Sequence, residues 1–309
     1  LVQRHGIAWH EKTLGQLFCD GSAREIIAML TGDMAEAGAR LELATDITGV
    51  ARSEAGFEIH TSAGTWLSER VVVATGGKSI PKMGATGLGY DIARQFGHAV
   101  TETRAGLVPF TWASNMHESW GALSGVSLLV HAACNGAGFD EAMLFTHRGL
   151  SGPAMLQVSS YWREGDAVTI DLAPGIDVAA HIRAERQARP KASVWTVLAD
   201  LLPKRLAHQF SSEAGAITPR LADLSNDAID RIVAGIRSFE VVPGGTEGYR
   251  TAEVTLGGVD TDGIDQKSME SRLVPGLHFI GEVMDVTGHL GGHNFQWAWS
   301  SGVAAGRAV

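Results

Sequence analysis

The sequence predicts an α/β fold whose main domain is interrupted by a long insertion, and three observations predict it. Val71-Val72-Val73-Ala74 is apolar without alternation, which suits a strand covered on both faces of a parallel sheet, and it ends in Thr75-Gly76-Gly77. A second apolar run, His278-Phe279-Ile280, stops at Gly281-Glu282, and Gly291-Gly292 then opens a helix rich in small residues. Between the two, short strands give way to a polar helical stretch and then to strands again. The order α/β, β, α, β, α/β makes residues 1–106 and 273–309 the two parts of the main domain. Residues 107–173 and 236–272 become an inserted β-barrel-like domain, and 174–235 a helical subdomain.

In chain order, Ser22-Ala23-Arg24-Glu25 has capping-box form, and Ile26, Ile27, Leu30 and Met34 recur at helical spacing until Gly38. Leu41-Glu42-Leu43 and Phe57-Glu58-Ile59-His60 alternate as strands, with Gly64 turning the chain before Trp66. A helix from Leu88 to Phe96 closes at Gly97, and from Leu107 to Leu172 short runs rich in glycine, serine and valine read as strands. Gly136-Ala137-Gly138 is a hairpin turn there. Glu141 stands where G-x-G-x-x-G needs its third glycine, and Met143-Leu144-Phe145 reads as strand, not helix. Val178 to Phe239 is helical with Pro190 and Pro219 as breakers, and Ala252 to Leu256 returns to strand.

The 309 residues are 45% hydrophobic, with 25 basic against 34 acidic side chains and a net charge of −9. No apolar run reaches the ~18 residues of a membrane helix, and no charged-then-apolar leader is present, so the expectation is a cytoplasmic protein without a membrane partner. The arginines are scattered and not striped along one face, which points to a small-molecule substrate and away from nucleic acid. Cys19 and Cys134 are far apart and form no C-x-x-C, so reduced thiols are expected.

The chemistry concentrates at the carboxyl end. Gly281-Glu282, Asp285 and Gly291-Gly292-His293-Asn294-Phe295-Gln296 have the make-up of a dinucleotide seat. Glycines let backbone approach the ligand, the acid accepts from a sugar-like hydroxyl, and a helix N-terminus favours negative charge. Asn294 reads equally as the N-cap of that helix. His289 and His293 are four apart, but the glycines between them rule out the helix that H-E-x-x-H requires, so no metal site is expected. Gly149-Leu150-Ser151-Gly152-Pro153 lacks the G-x-S-x-G spacing of a nucleophile elbow. In the preceding loop His147 is suited to moving protons and Arg148 to holding an anionic substrate. A turn with surface charges is an equal reading, there and at Gly248-Tyr249-Arg250.

Four separated stretches together closely resemble one family: Ala74 to Gly84, Phe145 to Pro153, Pro203-Lys204-Arg205-Leu206, and Gly281 to Gly306. The family is that of the BaiN/YhiN-like FAD-dependent oxidoreductases, also described as aminoacetone-oxidase-type flavoproteins, and the resemblance spans essentially the whole chain. It implies a glutathione-reductase-type FAD domain carrying the barrel-like and helical insertion. It also implies that Ala74, Thr75, Gly76 and Gly77 line the cofactor, that Gly281 and Glu282 meet the ribityl chain, and that Asp285 lies near it. Gly291, Gly292, Asn294, Phe295 and Gln296 would surround the flavin ring, and Ile47 would contact the adenine through its backbone. Two departures stand out: His293 replaces a usual tyrosine, and the N-terminal βαβ unit with its G-x-G-x-x-G is missing before Leu1.

The sequence is therefore read as an enzyme, an FAD-dependent oxidoreductase passing hydride between flavin and an organic substrate or NAD(P)H. Two alternatives remain, a non-catalytic FAD- or nucleotide-binding protein and an RNA-modifying flavoprotein. Because the phosphate-binding unit is missing, the chain is expected to be a truncated form that binds FAD weakly.

Overall fold

The structure, a computed structural model, describes residues 1–12, 17–213 and 220–309, so Pro219 lies outside the described residues. The chain divides into two compact units: 1–77 with 86–103 and 257–309, and 78–85 with 104–256. Residues 257–272, assigned from the sequence to the insertion, belong to the first unit, and 78–85 belong to the second.

In the first unit the capping box forms. Glu25 Oε1 accepts from the Ser22 N–H at 2.9 Å, Ser22 Oγ accepts from the Arg24 N–H at 3.2 Å, and the helix Arg24–Glu36 follows. Its apolar spacing makes a helix but not a buried stripe, since Met29 is buried while Ile27 is exposed. Leu41–Leu43 is not a strand. Both leucines are exposed and the segment is irregular, because an alternating triplet without a neighbouring chain has nothing to take its backbone groups. The strands are Ile47–Ser53, Gly56–Thr61 and Gly64–Ser68, joined antiparallel in that order.

Val71–Val73 pairs in parallel with Leu277–Phe279, Val72 opposite His278, and the Ile280 N–H extends the ladder to the Val73 carbonyl at 3.1 Å. Leu277, His278 and Phe279 are all buried, whereas in the partner strand Val73 is buried and Val72 exposed, so the cover expected on both faces of the Val71 strand is realised on one face only. The helix Leu88–Gln95 packs closely beside these strands. At Gly89 a Cβ would lie 2.2 Å from Thr75 Oγ1 and 2.7 Å from Val283 Cγ2, so only glycine permits that approach.

The second unit is built on a five-stranded antiparallel sheet in the order Leu150–Ser151, Ala137–Phe145, Ser127–Cys134, Val168–Asp171, Phe239–Val241. The expected barrel-like domain is thus an open sheet among the described residues. The hairpin read from the sequence at Gly136-Ala137-Gly138 is present, but its turn is Asn135-Gly136, at φ 49° and 81°, while Ala137 and Gly138 already pair in the strand. The helices Val178–Ala188, Val194–Leu198, Lys204–Glu213 and Asn226–Arg237 follow the sheet's fourth strand in the chain; the first stops just before Pro190, whose ring disfavours helix at Arg189. Asp177 and Ser225 cap two of them by accepting from Ala180 and Ala228 N–H groups. Ile182, Leu206, Ile229 and Ile236 share one continuous core with Phe145 and Ile170, so the helical stretch is not a separate subdomain but one body with the sheet. Among the described residues no helix is long and apolar enough to cross a membrane.

Candidate functional site

Each of the two parallel strands runs out into a glycine in the left-handed region, Gly76 and Gly281, both at φ 69°. That conformation strains any residue with a Cβ, which is why glycine stands at each. The turns meet: the Gly77 N–H donates to Glu282 Oε2 at 3.3 Å. The terminal helix His293–Gly306 holds the second turn in place. Gly281 donates its N–H to Ser301 Oγ and accepts from Trp297 Nε1 at its carbonyl, each at 3.0 Å. Sequence reasoning missed Gly89, Ser301 and this role of Trp297. The available cue was the i,i+4 spacing of Trp297 and Ser301, which puts them on one helix face.

Gly292, at φ 85°, is the N-cap of that helix, and the first intrahelical bond runs from the Gln296 N–H to its carbonyl at 2.9 Å. The amides of His293, Asn294 and Phe295 therefore head the helix without intrahelical partners. Asn294 is not the cap. Its Oδ1 accepts from the Gly288 N–H at 2.8 Å and its Nδ2 donates to the Gly288 carbonyl at 3.0 Å, which fastens the preceding loop. Phe295 is 75% exposed, Gln296 reaches Ser300 Oγ at 3.0 Å, and Gly291 sits at φ 124°. Asp285 Oδ2 accepts from Thr101 Oγ1 at 2.8 Å, while Thr101 Oγ1 also accepts from the Gly258 N–H at 3.0 Å. Ala74 and Thr75 are exposed, and Ile47 opens the hairpin sheet, also exposed.

Three of these glycines leave space beside their backbone. A Cβ at Gly76 would meet only Glu282 Oε2 and one at Gly281 only Ala298 Cβ, each at 3.9 Å, and at Gly292 nothing lies within 4 Å. Glycines with room at the missing Cβ, a carboxylate acceptor and a helix N-terminus suit a ligand that is flat, hydroxylated and electron-rich.

His147 and Arg148 belong to the second unit, in a turn closed by the Thr146 N–H to the Gly149 carbonyl at 2.8 Å and by the Gly149 N–H to Thr146 Oγ1 at 3.0 Å. At Gly149 a Cβ would lie 2.0 Å from the Phe110 carbonyl oxygen, so glycine is required where the turn meets the short strand Phe110–Thr111. Arg148 Nη1 reaches Glu247 Oε2 at 3.5 Å. Among the described residues one grouping has metal-ligand make-up: His181, Glu185 and Asp200, with donor atoms within 4.8 Å of one another. Arg189 binds both carboxylates and already supplies their positive charge.

The profile of a family described as "HI0933-like protein Rossmann domain" matches residues 1–308. The chain is 50% identical over 302 residues to a protein of Escherichia coli named ribosomal RNA dihydrouridine synthase, covering 97% of this chain and 76% of that one. It is 45% identical over 315 residues to the protein of the same name in Haemophilus influenzae, covering 100% and 78%. It is 26% identical over 306 residues to a 3-dehydro-bile acid delta(4,6)-reductase of Clostridium scindens, covering 93% and 73%. These names correct two expectations. None is an aminoacetone oxidase, and two carry ribosomal RNA in the name, which overturns the exclusion of nucleic acid. The exclusion rested on an acidic total and on arginines scattered along the sequence, whereas a polyanion is held by charge that is local in space.

Proposed function

The chain belongs to the HI0933-like Rossmann-domain family, and on that premise we propose that it is an FAD-dependent reductase acting on uridine in ribosomal RNA. The chemistry a bound flavin supplies is a hydride; saturating the uracil C5–C6 double bond takes up that hydride and one proton to give 5,6-dihydrouridine. NAD(P)H is the proposed source of the electrons.

The chain's own residues hold and orient. Glu282, fixed by the Gly77 N–H, accepts from a ribityl hydroxyl, and Asp285 is steadied beside it by Thr101. Ala74, Thr75, Gly76, Gly77 and Gly281 let backbone approach the cofactor, and Ile47 contributes backbone at the adenine end. Gly291, Gly292, Asn294, Phe295 and Gln296 present the helix N-terminus, where partial positive charge favours an electron-rich ring edge. The single observation that carries the reading is the meeting of Gly77 with Glu282, which brings two distant cofactor-type motifs to one place in a chain whose relatives carry this activity in their names. A non-catalytic nucleotide-binding protein is the weaker reading, since each relative above is named as an enzyme. Reduction of a small organic double bond rests on the 26% identical relative alone.

The test is incubation of unmodified ribosomal RNA with the protein, added FAD and NADH or NADPH, followed by nucleoside mass spectrometry. Dihydrouridine that appears only when flavin and nicotinamide are both present is the expected result. Flavin reduction without an RNA product removes the substrate assignment, and absence of any flavin binding removes the redox assignment.

A further inference from the structure

An RNA substrate is a polyanion, while this chain carries a net charge of −9, so part of its surface has to reverse that sign locally. The second unit does so where three segments distant in sequence come together. The Ile80 N–H donates to the Tyr249 carbonyl at 2.8 Å, joining the turn Pro81–Met83 to the turn Gly248–Arg250. Lys78 Nζ lies 6.0 Å from the centroid of the Tyr249 ring. Arg148 Nη1 and Arg250 Nη2 both reach Glu247 Oε2, at 3.5 Å and 4.0 Å.

Arg148 and Arg250 thus share one carboxylate whose side chain is 14% exposed, while their own side chains are 47% and 59% exposed; Lys78 and Lys82 lie on the segment that the Ile80–Tyr249 bond joins to this turn. The shared carboxylate restrains both forks at loose distances. That lowers the entropy lost on binding and leaves donors for phosphate oxygens. Beside Lys82, Met83 is 83% exposed and Ile80 40% exposed, apolar surface of the kind an unstacked base covers. Glu253, three residues beyond Arg250, is the other acid of the stretch, so cations remain in excess.

We propose that Lys82, Arg148 and Arg250, with Lys78 behind them, form the surface that grips the phosphate backbone of the RNA. This rests on the reading that the substrate is ribosomal RNA, which supplies the polyanion.

The test measures binding of the whole chain to end-labelled, fragmented ribosomal RNA across a salt series. It compares wild type, R148E/R250E, K82E and, as a charge-matched control elsewhere on the same unit, R231E. All four positions are exposed, and thermal melting verifies that each variant is folded. R148E/R250E is expected to bind at least about tenfold more weakly near 0.1 M salt, with a salt slope shallower by about 1.4, since each of the two lost phosphate contacts removes roughly 0.7. K82E is expected to weaken binding less and R231E least. If wild type binds and R148E/R250E behaves like R231E, the patch is wrong and the RNA reading stands. If wild type shows no salt-dependent binding, the RNA reading falls and takes the patch with it.

Discussion

Gly77 and Glu282 are joined by a 3.3 Å hydrogen bond across 205 residues of sequence, and between them the chain builds the whole sheet-and-helix unit. The contact brings the ends of two parallel strands to one point. It also commits one oxygen of Glu282 to the backbone, which fixes the carboxylate at the ends of the two strands.

Replacing that charge while keeping its shape tests the assignment. Glu282→Gln retains an oxygen for the Gly77 N–H, so the fold is expected to survive, while affinity for FAD falls roughly tenfold, the difference between a charge-assisted and a neutral hydrogen bond. Fluorescence titration with FAD measures it, and an unchanged affinity detaches Glu282 from the ribityl chain.

The packing of the Leu88–Gln95 helix predicts a stability effect at a residue no motif flagged. Gly89→Ala places a Cβ within bonding-like distance of Thr75 Oγ1 and against Val283, and is expected to cost about 1–3 kcal/mol. Urea denaturation reads this directly. A variant as stable as wild type means that the helix can withdraw from the strands without penalty.

Asn294 makes a different prediction from that of a cap. Asn294→Ala removes both bonds to Gly288, so the expected loss is about 1–2 kcal/mol, concentrated in faster amide exchange at Gly288 and its neighbours. Exchange that instead accelerates only within the first turn of the terminal helix would restore the capping role.

Buried His98 gives the first unit a pH dependence. Its Nε2 lies 2.7 Å from Ser271 Oγ and its ring packs edge-on to Phe279, and burial holds its pKa below the ordinary imidazole value. The unfolded chain takes up this proton near pH ~6.5 while the folded chain does not, so the stabilising contribution is full above that pH and declines as pH falls toward the lowered folded value. The urea midpoint of wild type is expected to drop more than that of His98→Gln between about pH 7 and pH 5.5. Parallel pH profiles would show that His98 is not held neutral.

Much of the fold was legible because helices, turns and tight strand ends are set by local backbone requirements. Ser22 and Glu25, Gly64, Gly97 and Gly292 all stand where their sequence neighbourhood places them, and the hairpin near Gly136 turns one residue earlier than read. Leu41–Leu43 misled because alternation carries no information about whether a partner strand is present. Asn294 misled because a capping residue type two positions past a glycine is also well placed to bond backward to a loop. The helical stretch looked like its own subdomain because sequence pattern shows which faces are apolar, not that Ile182 and Ile170 share a core.

What the amino-acid order alone determined is the inventory: which segments form strands and helices, and which glycines must leave the ordinary backbone region. Both depend on side-chain periodicity and on sterics within a few residues. Tertiary structure decided the rest. It brought Gly77 to Glu282, closed Ser301 and Trp297 over Gly281, and set Arg148 and Arg250, distant in an acidic chain, around Glu247 on one surface. Electrostatic attraction depends on distance in space and not on position along the chain, so no count of charges discloses that surface before the backbone is folded.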